Sequence, residues 1–511
     1  MDTQQREVFD FLASPSSWPT QPDRIQTIET HGARVFLAGN EVLKIKRAVH
    51  LPYLDFTTLK ARRHYCEREI ALNKGGANSI YRDVVAITRE ASGALAIAGD
   101  GTPVEWAVRM WRFPQDDLLK NAVHRGPLSR ALAEDLADAV FRYHAAATRA
   151  PASAENIADV AQGVLSSLEQ AANPVLRPLL AKLDTSFREH LQNTNGLRSE
   201  RARAGFVRRC HGDLHTGNIV IWRGKPVLFD ALEFDEKLAT TDTLYDLAFL
   251  LMDLDRQGSL AAANTVMNRY LWRTRDALDI KGLQSLPLFL GLRAAIRTLV
   301  ALNRAATVPE HSAEIFAQAE RTLLLALRDL SPIQPRLIAV GGLSGTGKTT
   351  LARAIAPHVG SCPGALHLRT DMERKSLAGV EPEVRLAASS YTKAASAAVY
   401  EHIFERARLA LQAGHAVVLD AVFADPAERS AAEGVAMSAG VAFTGLWLTA
   451  DRTTLTARVE TRIGDASDAT ADVVAQQLTY DTGAIEWHVI PASGEGQAVA
   501  AHARKIIALR D

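Results

Sequence analysis

The chain has 511 residues and a mass of 55.5 kDa, too long for one ordinary hydrophobic core and suited to about three compact lumps. With 47% hydrophobic and 23% charged residues, wholesale disorder is excluded. The 58 basic residues balance 58 acidic ones, 41 against 39 before Ser331 and 17 against 19 from there on, so neither part has the basic excess of a dedicated nucleic-acid binder. Cys66, Cys210 and Cys362 are too scattered for a disulfide framework or a CxxC metal motif, and MDTQQREVFDFL has no signal-peptide core. The most apolar run, Leu286 to Leu302, is broken by Arg293 and Arg297, which predicts no membrane span. A soluble, cytoplasmic, multidomain protein is expected.

From Arg34 to Phe113, short runs rich in Val and Ile (ARVFLAG, EVLKIKR, DVVAIT, ALAIAG, VEWAVRMW) predict strands, with one helix, TTLKARRHYCEREIALNK, among them. From Leu118 to about Leu330 apolar residues recur at three and four, predicting helices. One β-like island interrupts them, VRRCHGDLHTGNIVIWRGKPVLFDALEF. The breaker SPIQP, residues 331–335, reads as a linker. Beyond it, apolar strands at RLIAVGG, ALHLRTD, AVVLDAVF, AFTGLWLT and EWHVIPAS alternate with helices, which implies a parallel sheet covered on both faces. The expected fold class is multidomain, α+β followed by α/β.

In the island, Asp213 and Asn218 are spaced D-x4-N, and the next strand ends at Asp230. That is the base-and-metal arrangement of the protein-kinase fold. Asp213 would accept the acceptor hydroxyl's proton, while Asn218 and Asp230 supply oxygens to Mg2+ bridging the phosphates of ATP. His211 and His215 lie four apart, either as metal ligands or as structural groups with His211 bracing the loop.

The motif HGDxHxxN resembles the aminoglycoside phosphotransferases and their small-molecule kinase relatives, over roughly Thr30 to Leu330. The resemblance implies a bilobal protein-kinase-like domain over residues 1–330, with a small lobe at about 25–115 and a large lobe at about 116–330. It implies that Asp246, in DTLYDLA, holds the catalytic-loop backbone. Lys44 stands where such kinases grip the α- and β-phosphates, with Lys46 as the same-face alternative. Its partner would be Glu69 on the following helix, with Glu67 second. Met110 to Pro114 is the expected hinge to adenine. There is no GxGxxG loop, a departure that fits small-molecule kinases better than protein kinases, and the segment after Asp230 reads Ala-Leu-Glu-Phe-Asp. Glu233 and Asp235 there either contact an amino-bearing acceptor or tune the metal shell.

After the linker, Gly342-Leu-Ser344-Gly345-Thr346-Gly347-Lys348-Thr349 fits G-x-x-x-x-G-K-[ST], follows a strand and opens a helix continuing with Thr350. Glycines let backbone N–H groups curl around phosphate oxygens, Lys348 would bridge the β- and γ-phosphates, and Thr349 would ligate Mg2+. Asp371, at the carboxyl end of the second strand, is placed to take a proton from an acceptor. Arg458 and Arg462 share a predicted helix face ahead of GDASDA and would close over the transferring phosphoryl group. This set resembles the small P-loop kinases, the group including gluconate kinase, chloramphenicol phosphotransferase and the polynucleotide kinase domain, over about Arg336 to Ala500, within a P-loop kinase domain expected over residues 336–511. By that resemblance Asp371 is the catalytic base, Arg374 a substrate or phosphate contact, and Arg458 and Arg462 the lid arginines. Asp420, ending the third strand, would hold Mg2+ through water or contact substrate.

The expectation is a bifunctional ATP- and Mg2+-dependent kinase, each domain phosphorylating a hydroxyl of a small metabolite such as a sugar, amino sugar or aminoglycoside-like compound. No membrane partner is expected, and a nucleic acid is disfavoured. Three rivals stand beside it: one catalytic domain with a nucleotide-sensing companion, a non-enzymatic ATP-dependent partner binder, and a nucleic-acid end kinase.

Overall fold

The computed structural model describes residues 3–30, 32–51, 54–77, 79–307, 312–461 and 466–508. The chain folds as two units, residues 1–160 with 202–253, and residues 161–201 with 254–511. The division falls after Asp253, well before the irregular stretch at 331–335.

The first unit opens with helix α1 (Thr3–Ala13), followed by strands β1 (Ile25–Glu29), β2 (Ala33–Ala38) and β3 (Glu41–Lys46). Helix α2 (Leu59–Asn73) comes next, its start fixed by the Thr58 side chain accepting from Ala61 N. Strands β4 (Tyr81–Arg89), β5 (Leu95–Ile97) and β6 (Thr102–Trp111) complete an antiparallel sheet in the order β1-β2-β3-β6-β4-β5. Val8, Phe9 and Leu12 of α1 pack with Phe36, Leu43 and Ile45 from the sheet. The island supplies β7 (Val207–Arg209), the hairpin β8 (Ile219–Trp222) and β9 (Lys225–Leu228), and β10 (Thr240–Asp242), which pairs back with β7. Helix α3 (Thr243–Arg256) follows directly.

The second unit holds helices α4 (Leu260–Thr274), α5 (Leu286–Thr307) and α6 (Ser312–Leu330), the last two packed on each other. By length and composition Ala277–Ala305 is apolar enough to cross a membrane, which corrects the reading that its arginines forbid this. Its most apolar window is 67% buried in the fold, the burial of a core helix. Strands β11 (Arg336–Gly341), β12 (Leu366–Arg369), β13 (Val417–Asp420), β14 (Ala442–Thr449) and β15 (His488–Pro491) form a parallel sheet in the order β12-β13-β11-β14-β15. Between them run α7 (Lys348–Ile355), α8 (Thr370–Leu377), α9 (Lys393–Gln412) and α10 (Arg452–Glu460). Ile338, Val340, Leu351, Val418, Leu446 and Ile490 are buried together on one face. In this register Val340 and Arg369 both lie beside Asp420, so three strands end at one edge of the sheet.

Candidate active sites

In the first unit, alternation along β3 decides which lysines matter. Leu43 and Ile45 enter the core under α1, while Val42, Lys44 and Lys46 line a cleft of about 500 Å3. Its apolar wall includes Val35, Leu37, Met110 and Phe113, and Asp213, Asn218 and Asp230 also line it. An apolar wall beside convergent charges fits a nucleotide's base and phosphates. Met110, Trp111 and Phe113 of the expected hinge lie on this cleft.

Glu69 is fully buried on α2 and receives both lysines. Lys44 Nζ donates to Glu69 Oε1 at 2.9 Å and also to Asp230, while Lys46 donates to the other Glu69 oxygen and to Glu233. Burial alone would push the Glu69 carboxyl up, but the Lys44 and Lys46 charges pull it down to about 2. Burial would lower Lys44, yet Asp230 and Glu69 hold it well above the usual lysine range. Two ammonium groups thus face three carboxylates, and the surplus negative charge is what a divalent cation would neutralise. Glu233, expected at an acceptor or the metal shell, is buried and ion-paired with Lys46 at the edge of the cleft.

The loop that carries Asp213 and Asn218 hangs from α3. Asp246 is fully buried; its Oδ1 accepts from Gly212 N at 2.9 Å and its Oδ2 from His211 N at 3.1 Å, with His144 Nε2 also at 3.1 Å from Oδ2. Gly212 sits at φ 83°, where a Cβ would come within 3.0 Å of Leu232 and 3.2 Å of Ala239. Two turns further along α3, Asp253 Oδ2 accepts from both Thr216 N and Thr216 Oγ1. His211 donates through Nε2 to Phe229 O, and burial keeps its ring neutral. His215 Nδ1 accepts from Gly217 N at 3.0 Å, so its proton sits on Nε2, 3.5 Å from Asp213 Oδ2. Both histidines therefore serve the loop. Asn218 Nδ2 donates to Asp213 O and Oδ2 at 3.0 and 2.9 Å, so the amide oxygen is the Asn218 atom that could ligate a metal. Asp230 follows β9 at φ 60°.

In the second unit the loop between β11 and α7 is backed tightly. A Cβ on Gly342 would lie 2.5 Å from Leu448 O, and one on Gly345 2.6 Å from Leu455 O. Gln477 accepts from Ser344 N at 2.7 Å, and Thr346 Oγ1 donates to Leu343 O. Lys348 Nζ donates to Leu343 O at 3.0 Å, inside the loop. Thr349 Oγ1 donates to Asp420 Oδ2 at 2.7 Å, and Thr350 is exposed on the same turn. Burial would raise the Asp420 carboxyl, but His367 at 3.3 Å, Arg369 at 3.4 Å and the nearby Lys348 charge hold it below the usual range. A hydroxyl and an ionised carboxylate meeting beside a phosphate-type loop fit a Mg2+ ion.

Asp371 is half-buried in the first turn of α8. The Arg374 guanidinium lies 4.8 Å over the Tyr391 ring and donates to Ser390 O. Arg458 reaches within 4.0 Å of where a Gly347 Cβ would sit. Arg462 lies outside the described residues, as do Gly464 and Asp465. The downstream acid Asp468 accepts two bonds of 3.0 Å from Lys375 and one from Tyr391 OH, tying the segment after α10 to α8.

Asp253, His144, His367 and the Lys375–Asp468 pair were not read from the sequence, since each acts through a partner distant along the chain. The same-face position of Lys46 was the one available signal for its partnership.

Residues 98–280 match the family described as "Phosphotransferase enzyme family", and residues 337–481 match the family described as "AAA domain". Together with its two sites, this makes the chain a protein of kinase-like class, a phosphotransferase segment followed by a P-loop segment. It belongs to the family of "Uncharacterized protein Rv2004c" of Mycobacterium tuberculosis, to which it is 31% identical over 475 residues, 90% of this chain and 91% of the relative. Among solved structures, a choline/ethanolamine kinase family protein from Mesorhizobium loti is similar, at 14% identity and TM-score 0.37, covering 64% of this chain and 99% of that one. A gluconokinase from Sinorhizobium meliloti is similar at 18% identity and TM-score 0.24, covering 35% and 98%.

Proposed function

We propose that the chain is a bifunctional kinase using two separate sites to transfer the γ-phosphate of ATP to hydroxyls of small metabolites of the sugar, amino-sugar or aminoglycoside-like kind. The observation that supports this reading is duplication: each unit holds a lysine, oxygen groups suited to a metal and a carboxylate suited to accept a proton, Lys44, Asn218, Asp230 and Asp213 in one and Lys348, Thr349, Asp420 and Asp371 in the other. Pure nucleotide binding needs the first two and not the third, so Asp213 and Asp371 favour chemistry over sensing.

In the first site Asp213 takes the acceptor's proton as the new O–P bond forms and the bond to the departing ADP breaks. Lys44, oriented by Glu69, would meet the phosphates, and Asn218 and Asp230 would hold Mg2+. In the second, Asp371 would take the proton, Lys348 and Arg458 would meet the phosphates, and Thr349 and Asp420 would hold Mg2+. The ion supplies neutralising charge to the phosphate oxygens. The same reading places the protein in the cytoplasm, with small hydroxyl compounds rather than nucleic acid or membrane as partners.

The test is an ATP titration of the full chain. Two equivalents are expected in the parent, one in Lys348→Ala and one in Asp230→Asn; a single equivalent in the parent would overturn the two-site reading. An ATP-consumption screen over sugars, amino sugars, aminoglycosides and nucleosides then names the acceptors.

A further inference from the structure

Strand β12 is an edge of the P-loop sheet, and an edge strand leaves backbone N–H and C=O groups in need of partners. Helix α4 supplies them with a side chain. Asn268 Oδ1 accepts from His367 N at 2.6 Å, while Asn268 Nδ2 donates to Ala365 O at 3.2 Å. Asn264 Nδ2 adds a second donor to Ala365 O at 3.0 Å. One carboxamide thus pairs with two backbone groups two residues apart, as the backbone of a neighbouring strand would.

The residue gripped in this way is the one that holds the metal-site carboxylate. His367 Nε2 lies 3.3 Å from Asp420 Oδ2, the oxygen that accepts from Thr349. The same helix also touches the base-bearing helix, because Trp272 Nε1 donates at 3.1 Å to the carbonyl of Met372, next to Asp371. Asn268 lies within residues 98–280, the part matching the phosphotransferase family, and outside the part that carries the P-loop.

We propose that Asn268 is a positioning residue of the P-loop phosphotransfer site, acting through His367 on Asp420. The proposal rests on the reading of that site as a Mg-ATP site. A side chain from the phosphotransferase segment completes the metal end of the second site. Partners of this indirect kind typically change metal affinity by about 10–100-fold, and a contact one residue further removed is expected to change it by about three- to tenfold.

The test is a Mg2+ titration of the binding of a fluorescent ATP analogue to the full chain carrying Asp230→Asn, so that the P-loop site reports. Asn268→Ala should raise the half-saturating Mg2+ concentration about three- to tenfold, and leave metal-free nucleotide affinity within about twofold. His367→Ala should raise it about tenfold or more, and His367→Gln, which keeps a donor toward Asp420, should recover part of the loss. The double variant Asn268→Ala/His367→Ala should be no worse than His367→Ala alone, because both act on one path. If Asn268→Ala does not fold, Asn268→Leu, which removes the same hydrogen bonds at similar side-chain volume, takes its place in the cycle. An unchanged Mg2+ dependence, or additive losses in the double variant, would overturn the proposal. Lys348→Ala is the control: if it leaves nucleotide binding intact, the P-loop reading itself falls.

Discussion

Lys44 and Lys46 divide one carboxylate between them, each bonded to a different oxygen of Glu69. Their second partners differ: Lys44 reaches Asp230 and Lys46 reaches the buried Glu233. On the proposed reading, Lys44 is the phosphate lysine and Lys46 a structural one.

Lys44→Ala is expected to weaken ATP binding at the first site about tenfold or more while leaving the melting temperature nearly unchanged. Lys46→Ala leaves Glu233 buried without its partner, a defect of about 3–5 kcal/mol, and should lower the melting temperature of the first unit. Thermal melts and ATP titrations on both variants check this. The opposite pattern would exchange the two roles.

Asp213→Asn should cut first-site turnover by about 100-fold to 10,000-fold with ATP affinity preserved, because the residue handles the acceptor's proton. Asp230→Asn should weaken Mg-ATP binding itself. Equal losses of ATP affinity in the two variants would contradict the assignment.

His415 predicts a pH dependence for the P-loop unit. Its ring is buried and donates to Gly364 O at 2.9 Å, and burial lowers its pKa from 6.5 to about 4. The folded form therefore binds fewer protons than the unfolded chain between these values. The contribution is complete above pH 6.5 and is lost as the pH falls through about 4, amounting to about 3 kcal/mol. Denaturant melts between pH 4 and 7 should show this slope for the parent and a flatter one for His415→Gln. Identical slopes would remove His415 from the account.

Cutting at residue 331 removes α4, and with it the groups that pair with Ala365 O, His367 N and Met372 O. A fragment of residues 254–511 should melt higher and bind nucleotide at lower Mg2+ than one of residues 331–511. Calorimetry and the Mg2+ titration compare them directly, and equal behaviour would make α4 dispensable.

What the sequence made legible was what lies close together along it. The phosphate loop is eight consecutive residues with a strand before and a helix after, and Asp213, Asn218 and Asp230 fall within 18 positions. All five parallel strands could be read because each is a short, mostly apolar segment alternating with helix-like stretches, although LHLR and HVIP carry polar residues as well. Strand β1, with residues IQTIE and a half-exposed face, has too weak an alternation to stand out. Lys46 with Glu233, Thr216 with Asp253 and Asn268 with His367 are joined by folding across 187, 37 and 99 positions, and no local pattern encodes such pairings. For the same reason, composition could not show that Leu286–Leu302 is core.

Asp230 stands in the left-handed backbone region, which carbon-branched side chains resist and which Asn, Asp and Gly tolerate. The position is therefore constrained twice, once by the oxygen it offers and once by the chain direction it must accept. A saturation library there would report a mixture: valine would fail for its backbone, asparagine for its missing charge, and glycine for its missing ligand. Comparing asparagine with glycine at this one position, where both accept the backbone, separates the lost charge from the lost ligand atom, which an alanine scan of the cleft cannot do.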